Sequence, residues 1–414
     1  MPRWSDYSTG ERIKILRGRE IRQTDLAEMT GLSVPTIQQA EQDKRLTLPT
    51  LMKIAEALKV DTSVILGQQT PRRAMEHADR TVMISLSRAV HDTAAGILPD
   101  TVEAPSLQEL HDVSTRCWEI YWAGNYVEAG ALATEFIAAA GARLRDQPVG
   151  EQAEAWGMLS DAYRLAGYVA NLMSFRDLAY AAIGQAQAAA QAGADDLRQA
   201  LVMSGRAWVY LRDARLEEAL RLAEKAATDI EPRFSTATPS SLVAYGSHVN
   251  FAAVVASRMG NKERAADYLS QSHAAGARLG EEHRAHGTLF GPVSATTQAI
   301  GINVALGNTG KALTLMRDVH EGDLEALSGA ARHRYAMDQA MAYADAKMWD
   351  SALDVLEETL TDAPGWGRHQ ALPSVILQKV GKASTARLRR VSELVGVSAA
   401  GASGFLPATA KTAL

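Results

Sequence analysis

The stretch Gln23-Thr24-Asp25-Leu26-Ala27-Glu28-Met29-Thr30-Gly31-Leu32-Ser33-Val34-Pro35-Thr36-Ile37-Gln38-Gln39-Ala40-Glu41 decides how this chain is read. It predicts two short helices joined by a tight turn. Leu26, Ala27 and Met29 give the first helix an apolar face. Gly31 supplies the backbone freedom for the turn. Ser33 is a good N-cap, and Pro35 falls in the first helical turn, where its missing N–H costs nothing. Ile37 and Ala40 face inward at i, i+3, so Val34, Thr36, Gln38 and Gln39 look out.

Such a pair is the helix-turn-helix arrangement, whose second helix enters the DNA major groove N-terminus first. Residues 10–67 resemble the Cro/XRE class of this domain. The likeness is carried by Gln23-x-x-Leu26-Ala27, then Gly31-Leu32-Ser33-x-x-Thr36-Ile37, then Glu41. It continues through Lys44-Arg45, Thr47-Leu48-Pro49-Thr50-Leu51 and Ile54-Ala55-x-Ala57-Leu58-x-Val60. Arg22 stands where the family has Ser, and Asp43 where it has Gly. Arg22 weakens a cap but adds charge, and Asp43 tolerates the left-handed conformation better than most residues.

The resemblance implies base contacts from Val34, Pro35, Thr36 and Gln39. Gln39 can pair bidentately with adenine, Thr36 can bond a base or meet a thymine methyl, and Val34 and Pro35 can only make apolar contacts. Gln38 reads as an ordinary exposed residue. Arg17, Arg22, Gln23, Lys44 and Arg45 are the expected phosphate contacts. Glu41 reads as a structural partner for a first-helix arginine such as Arg17, since it would repel phosphate.

Charge adds little. Residues 1–67 hold ten Lys/Arg against nine Asp/Glu, and the remainder 33 against 39. A strongly basic DNA-binding domain is therefore not seen, and placement matters more than the sum. The 414 residues are enough for two to three domains. No run of eighteen apolar residues suggests a membrane span, and Met-Pro-Arg-Trp-Ser-Asp has no signal-peptide core. Cys117 is the lone cysteine, which excludes an intrachain disulfide or cysteine metal cluster. A cytoplasmic protein is the expectation.

Residues 68–105 read as a linker containing a helix over 72–95. Its stripe of Met75, Ala78, Val82, Leu86 and Ala89 could pack on the next domain or pair with a second copy. From 106 to 366 a loose repeat follows, marked by Ala129, Ala179, Ala219, Ala265, Ala312 and Ala352, at spacings of 50, 40, 46, 47 and 40. Each alanine opens the second helix of a pair after a short turn. Twelve residues earlier stand Cys117, Gly167, Ala207, Ala253, Ile300 and Ala340, all but Ile300 small. Small residues at both places let helices approach closely, as a helix-pair solenoid requires. The pattern resembles the tetratricopeptide repeat, most clearly in Ala207-x-x-Tyr210 followed by Glu218-Ala219-Leu220 and Ala223. Residues 367–397 are expected to add capping helices, and 398–414 a disordered tail.

The fold expected is all-α: an N-terminal five-helix lambda-repressor-like domain at 1–67, then a tetratricopeptide-like α-solenoid. Carrying the repeat pattern over places Trp118, Tyr121, Arg164, Tyr168, Asn171, Trp208, Arg212, Asn250 and Arg334 on the concave face. Aromatics with Asn and Arg could hold an extended peptide or a small apolar ligand. Trp118 and Trp208 could equally pack between repeats. The domain order resembles the peptide-sensing regulators of the Rgg, PlcR and PrgX group. That implies a homodimer on a two-fold operator of double-stranded DNA, with an effector in the groove.

Other chemistry is thin. Glu281-Glu282-His283-Arg284-Ala285-His286 places two imidazoles at i, i+3 without a third metal ligand, and reads better as a polar helix-turn loop. Cys117 reads as a buried, inert thiol. Phosphate-binding glycine loops and nucleophile elbows are missing from the sequence. No catalytic residue, metal or cofactor is expected, and no enzyme. The alternative to a regulator is an interaction scaffold whose repeats bind a partner protein.

Overall fold

The computed structural model describes residues 7–18, 21–67, 77–98, 104–146, 149–380, 390–391 and 394. Residues 68–76 and 99–103 of the expected linker, the tail at 398–414 and most of the expected capping segment beyond Val380 lie outside them.

Five short helices build the first domain: α1 (Thr9–Arg17), α2 (Gln23–Thr30), α3 (Val34–Glu41), α4 (Leu48–Ala57) and α5 (Thr62–Leu66). Their starts follow from capping chemistry. Ser8 and Glu11 form a reciprocal capping box on α1, Ser33 caps α3 through Thr36 N, and Thr47 caps α4 through Thr50 N. Gly31 takes the left-handed φ of +62° that the turn between α2 and α3 needs. Asp43 does the same at φ +53°, and its carboxylate accepts from Ser8 Oγ at 2.5 Å and Gly10 N at 2.7 Å. Ile13, Leu26, Ile37, Leu51, Ile54 and Ile65 form a core closed to solvent. Met29, expected on the apolar face of α2, is instead 53% exposed because Thr30 takes the inward position.

Helix α6 (His77–Ala94) lies against the first helix pair, burying Met83, Leu86 and Val90. Six pairs follow: α7/α8 (Leu107–Trp122, Tyr126–Asp146), α9/α10 (Gln152–Leu172, Arg176–Ala192) and α11/α12 (Asp196–Arg212, Leu216–Asp229). Then come α13/α14 (Pro239–Met259, Lys262–Leu279), α15/α16 (Pro292–Ala305, Thr309–Arg317) and, after the short α17 (Glu321–Leu324), α18/α19 (Gly329–Asp345, Trp349–Asp362). The six marker alanines have no exposed surface, nor do Cys117, Ala207, Ala253, Ile300 and Ala340. A Cβ on Gly167 would lie 2.7 Å from Ile183, so close approach there requires glycine. Every intra-pair turn carries one residue at positive φ: Gly124, Ser174, Ala214, Gly260, Gly307 and Lys347.

The array turns back on itself. Short α20 (Pro364–Gly367) and α21 (Leu372–Val380) bring Trp366 against Gly124 of the first pair, and His369 to 5.5 Å from the Tyr126 ring. Among the described residues, one feature departs from all-helical design. Residues 281–290, read as a helix-turn loop, form a two-stranded antiparallel hairpin, β1 (His283–Ala285) and β2 (Thr288–Phe290). Phe290 fills the space left open by Gly246. The tip, His286–Gly287, crosses the interior to the first two pairs. There Trp122 Nε1 donates to Gly287 O at 2.7 Å and Arg164 donates to His286 O.

Candidate DNA-binding surface and interior cavity

On α3, Pro35, Gln38 and Gln39 are exposed, while Val34 and Thr36 are half-buried. Thr36 Oγ1 lies 2.8 Å from Ser33 Oγ, so its hydroxyl is shared with the helix cap. The helix packs inward through Ile37 and Ala40 against α1 and α2, leaving this outward row uncovered by the repeats. The row can therefore meet base edges in a groove.

The expected phosphate contacts divide. Lys44 and Arg45 are exposed just beyond α3. Arg22 is 79% exposed and pairs with Asp25 at 3.0 Å, which leaves it open to solvent. Arg17 is turned inward: its Nε donates to Glu41 Oε1 at 2.6 Å and its Nη1 to Ile21 O at 2.5 Å. Gln23 Nε2 donates to Glu41 Oε2 at 2.7 Å. Glu41 thus gathers α1, α2 and α3, and Arg17 serves the fold rather than an open phosphate face.

The repeats surround a cavity of about 430 Å³. Of the groove residues read from sequence, Tyr121, Tyr168, Trp208, Arg212, Asn250 and Arg334 line it. Trp118, Arg164 and Asn171 do not. The hairpin tip covers the first two: Gly287 sits against the Trp118 ring, and Arg164 lies 4.6 Å above that ring while bonding the tip. Arg164 also shares the buried Asp161 with Arg198. Burial raises the Asp161 pKa, but His286, Arg198 and Arg164 outweigh it and hold the carboxyl ionised. Asn171 is fully buried and accepts from Arg176.

Sequence reasoning missed where the DNA-binding domain sits. Leu48, Met52 and Thr62 form part of the cavity wall. Met52 is 6% exposed and packs with Ala207, Leu211, Ala252 and Val255 of the repeats. Asp61, the N-cap of α5, is ion-paired with Arg176 of α10. A second crevice, about 460 Å³, runs between residues 43–49 and the helices α15, α18, α19 and α21. The signal was available in α4, where Leu48, Leu51, Met52, Ile54 and Ala55 make a wider apolar arc than one small core uses.

The hairpin separates the two histidines that metal binding would need. His283 faces Glu281 at 3.6 Å and His286 faces Asp161 at 3.7 Å. Among the described residues no group of three metal-ligating side chains gathers, and no helix is long and apolar enough to cross a membrane. Burial pushes the Cys117 thiol up to about 12, with Glu135 adding to it, so the thiolate is disfavoured at neutral pH.

A comparison with curated proteins gave no match to the chain. Residues 13–67 match the family model of the Cro/C1-type HTH DNA-binding domain, which identifies this segment as a DNA-binding domain of that type.

Proposed function

We propose that the chain is an effector-responsive transcriptional regulator, working as a homodimer on a two-fold operator. The observation that carries this is the shared wall: Leu48, Met52 and Thr62 of the DNA-binding domain face the same cavity as Trp208, Arg212 and Asn250 of the repeats. A ligand there touches both domains. It therefore binds the docked and undocked arrangements with different free energies, which is the requirement for shifting between them. The volume falls in the range of small-molecule sites, about 300–1,000 Å³. That favours a small ligand, or a few residues of a peptide, over a long extended segment. Two domains repositioned in each protomer would change the spacing of paired recognition helices, and half-sites about 10 base pairs apart are sensitive to that.

The test is selection of fragmented genomic DNA by the purified protein beside the Thr36→Ala/Gln39→Ala variant. Recovery of a two-fold motif by the wild type alone is expected, with about 1–3 kcal/mol lost per base contact removed. Equal, salt-sensitive recovery of unrelated fragments by both proteins would overturn the proposal and redirect attention to partner proteins on the repeats.

A further inference from the structure

The ionised residues lining the cavity are Arg212, Arg258, Arg334 and Asp338. The lining thus holds one carboxylate against three guanidiniums in number. Asp338 lies 3.6 Å from Arg334 and also faces Arg258. Burial raises the Asp338 pKa, and the nearby Arg334 and Arg258 oppose that shift. Arg212 has no acidic partner among the described residues: the titratable groups around it are Tyr121, Tyr126, His369 and the cations Arg334 and Arg176, and its Nε donates to nothing. Its guanidinium lies 6.0 Å from the Trp208 ring, inside a wall of Tyr121, Tyr168 and Trp208. A cation held out of bulk water without a counter-charge is costly, and arginine does not shed its proton to escape. An anion from outside removes that cost.

We infer that the cavity takes an amphiphilic anion, whose single carboxylate-like head pairs with Arg212 and whose flat apolar body stacks among Tyr121, Tyr168 and Trp208. The inference rests on the effector-cavity reading and refines it. A neutral apolar ligand fits the aromatic wall but leaves Arg212 unpaired; an anionic one satisfies both. Arg212 also stands close enough to Arg176, the partner of Asp61, for the two charges to repel. The anion's charge is therefore felt at the ion pair that docks the DNA-binding domain. A small acid and the free C-terminus of a short apolar peptide present the same head.

Two fluorescent probes with the same ring system separate head from body: anilinonaphthalene sulfonate, which is anionic, and phenylnaphthylamine, which is neutral. The full-length protein is expected to bind one sulfonate probe per chain, about tenfold or more tighter than the neutral one. Arg212→Gln brings the sulfonate down to the neutral probe's affinity and leaves the neutral probe unchanged, which also shows that the variant folds. Arg212→Lys restores the preference, and Ser204→Trp, which fills the cavity, removes both. Displacement of the sulfonate probe by naphthoate points to a small acid. Displacement by an apolar tripeptide acid but not its amide points to a peptide end. Equal binding of both probes, or indifference to Arg212→Gln, overturns the anionic reading while the effector cavity stands. Binding of both probes undiminished by Ser204→Trp overturns the cavity reading as well.

Discussion

Arg17 Nε donates to Glu41 Oε1 at 2.6 Å, joining the end of the first helix to the end of the recognition helix. The Glu41 side chain is 1% exposed, so its charge depends on Arg17 and Gln23 for compensation. Arg17→Ala is expected to cost about 3 kcal/mol of domain stability by stranding that carboxylate. Amide exchange across α1 to α3 of the full chain should accelerate accordingly. Lys44→Ala should behave oppositely, lowering the salt dependence of DNA binding by about one phosphate contact while exchange stays put. A reduced salt slope for Arg17→Ala with unchanged exchange would return it to the phosphate surface.

The hairpin tip is held by geometry that tolerates no side chain. Gly287 has φ +74°, and a Cβ there would lie 2.4 Å from the Trp118 ring. Gly287→Ala combines left-handed strain with a clash against a ring packed on three sides, and about 2 kcal/mol or more should be lost. Trp122 would lose its acceptor at Gly287 O, so tryptophan emission should shift to the red as the indole meets water. An unshifted spectrum and unchanged unfolding midpoint would mean that the tip is not a structural latch.

The intra-pair turns offer a stabilising change. Gly124, Gly260 and Gly307 occupy the left-handed position in three pairs, while Ser174, Ala214 and Lys347 occupy it in the others. Lys347 is exposed at φ +63°, so its Cβ bears the strain without compensating burial. Lys347→Gly is expected to raise stability by about 1 kcal/mol, less the entropy a glycine adds to the unfolded chain. A thermal melt of the two proteins decides it, and a lower midpoint for the glycine variant would refute the argument.

The docking of the two domains rests on Asp61 and Arg176 together with Met52. Arg176 also donates to Asn171, and both members of the ion pair are largely sheltered. Arg176→Ala should loosen the contact, so that exchange quickens in α4 and α5 before it does in α9 and α10. If the two domains are coupled, the sulfonate probe and DNA should also lose their mutual effect on each other's affinity. Coupling that survives intact would place the communication elsewhere.

Sequence carried the local physics well and the long-range physics poorly. The helix-turn-helix was legible because Gly31, Ser33 and Pro35 each have one conformational use. The helix pairs were legible because Ala129 to Ala352 mark close approaches made within a few dozen residues. The hairpin was not: three-residue strands have too few positions to show alternation, and Gly287 is needed only because Trp118, far earlier in the chain, sits above it. Nothing local in α4 marks Met52 as the residue that meets the repeats rather than its own core. Arg164 and Asn171 fell on the expected concave face, and what covers them, the hairpin tip and Arg176 at the interdomain ion pair, arrives through tertiary contacts that no local pattern announces.

His248 makes the stability of the repeats depend on acid. It sits on α13 with no exposed surface, and burial lowers its pKa from 6.5 to about 4, the Ala200 backbone opposing more weakly. In the unfolded chain the imidazole protonates near its ordinary value, so between pH 6.5 and 4 the unfolded state binds more protons. Stability is therefore full above pH 6.5 and falls as the pH drops toward 4, by about 3 kcal/mol from this group. Denaturant midpoints measured across that window should decline in the wild type. In His248→Leu the decline should be shallower by about that amount, because leucine has no proton to gain on unfolding. Parallel declines in the two proteins would show that other groups set the acid limit.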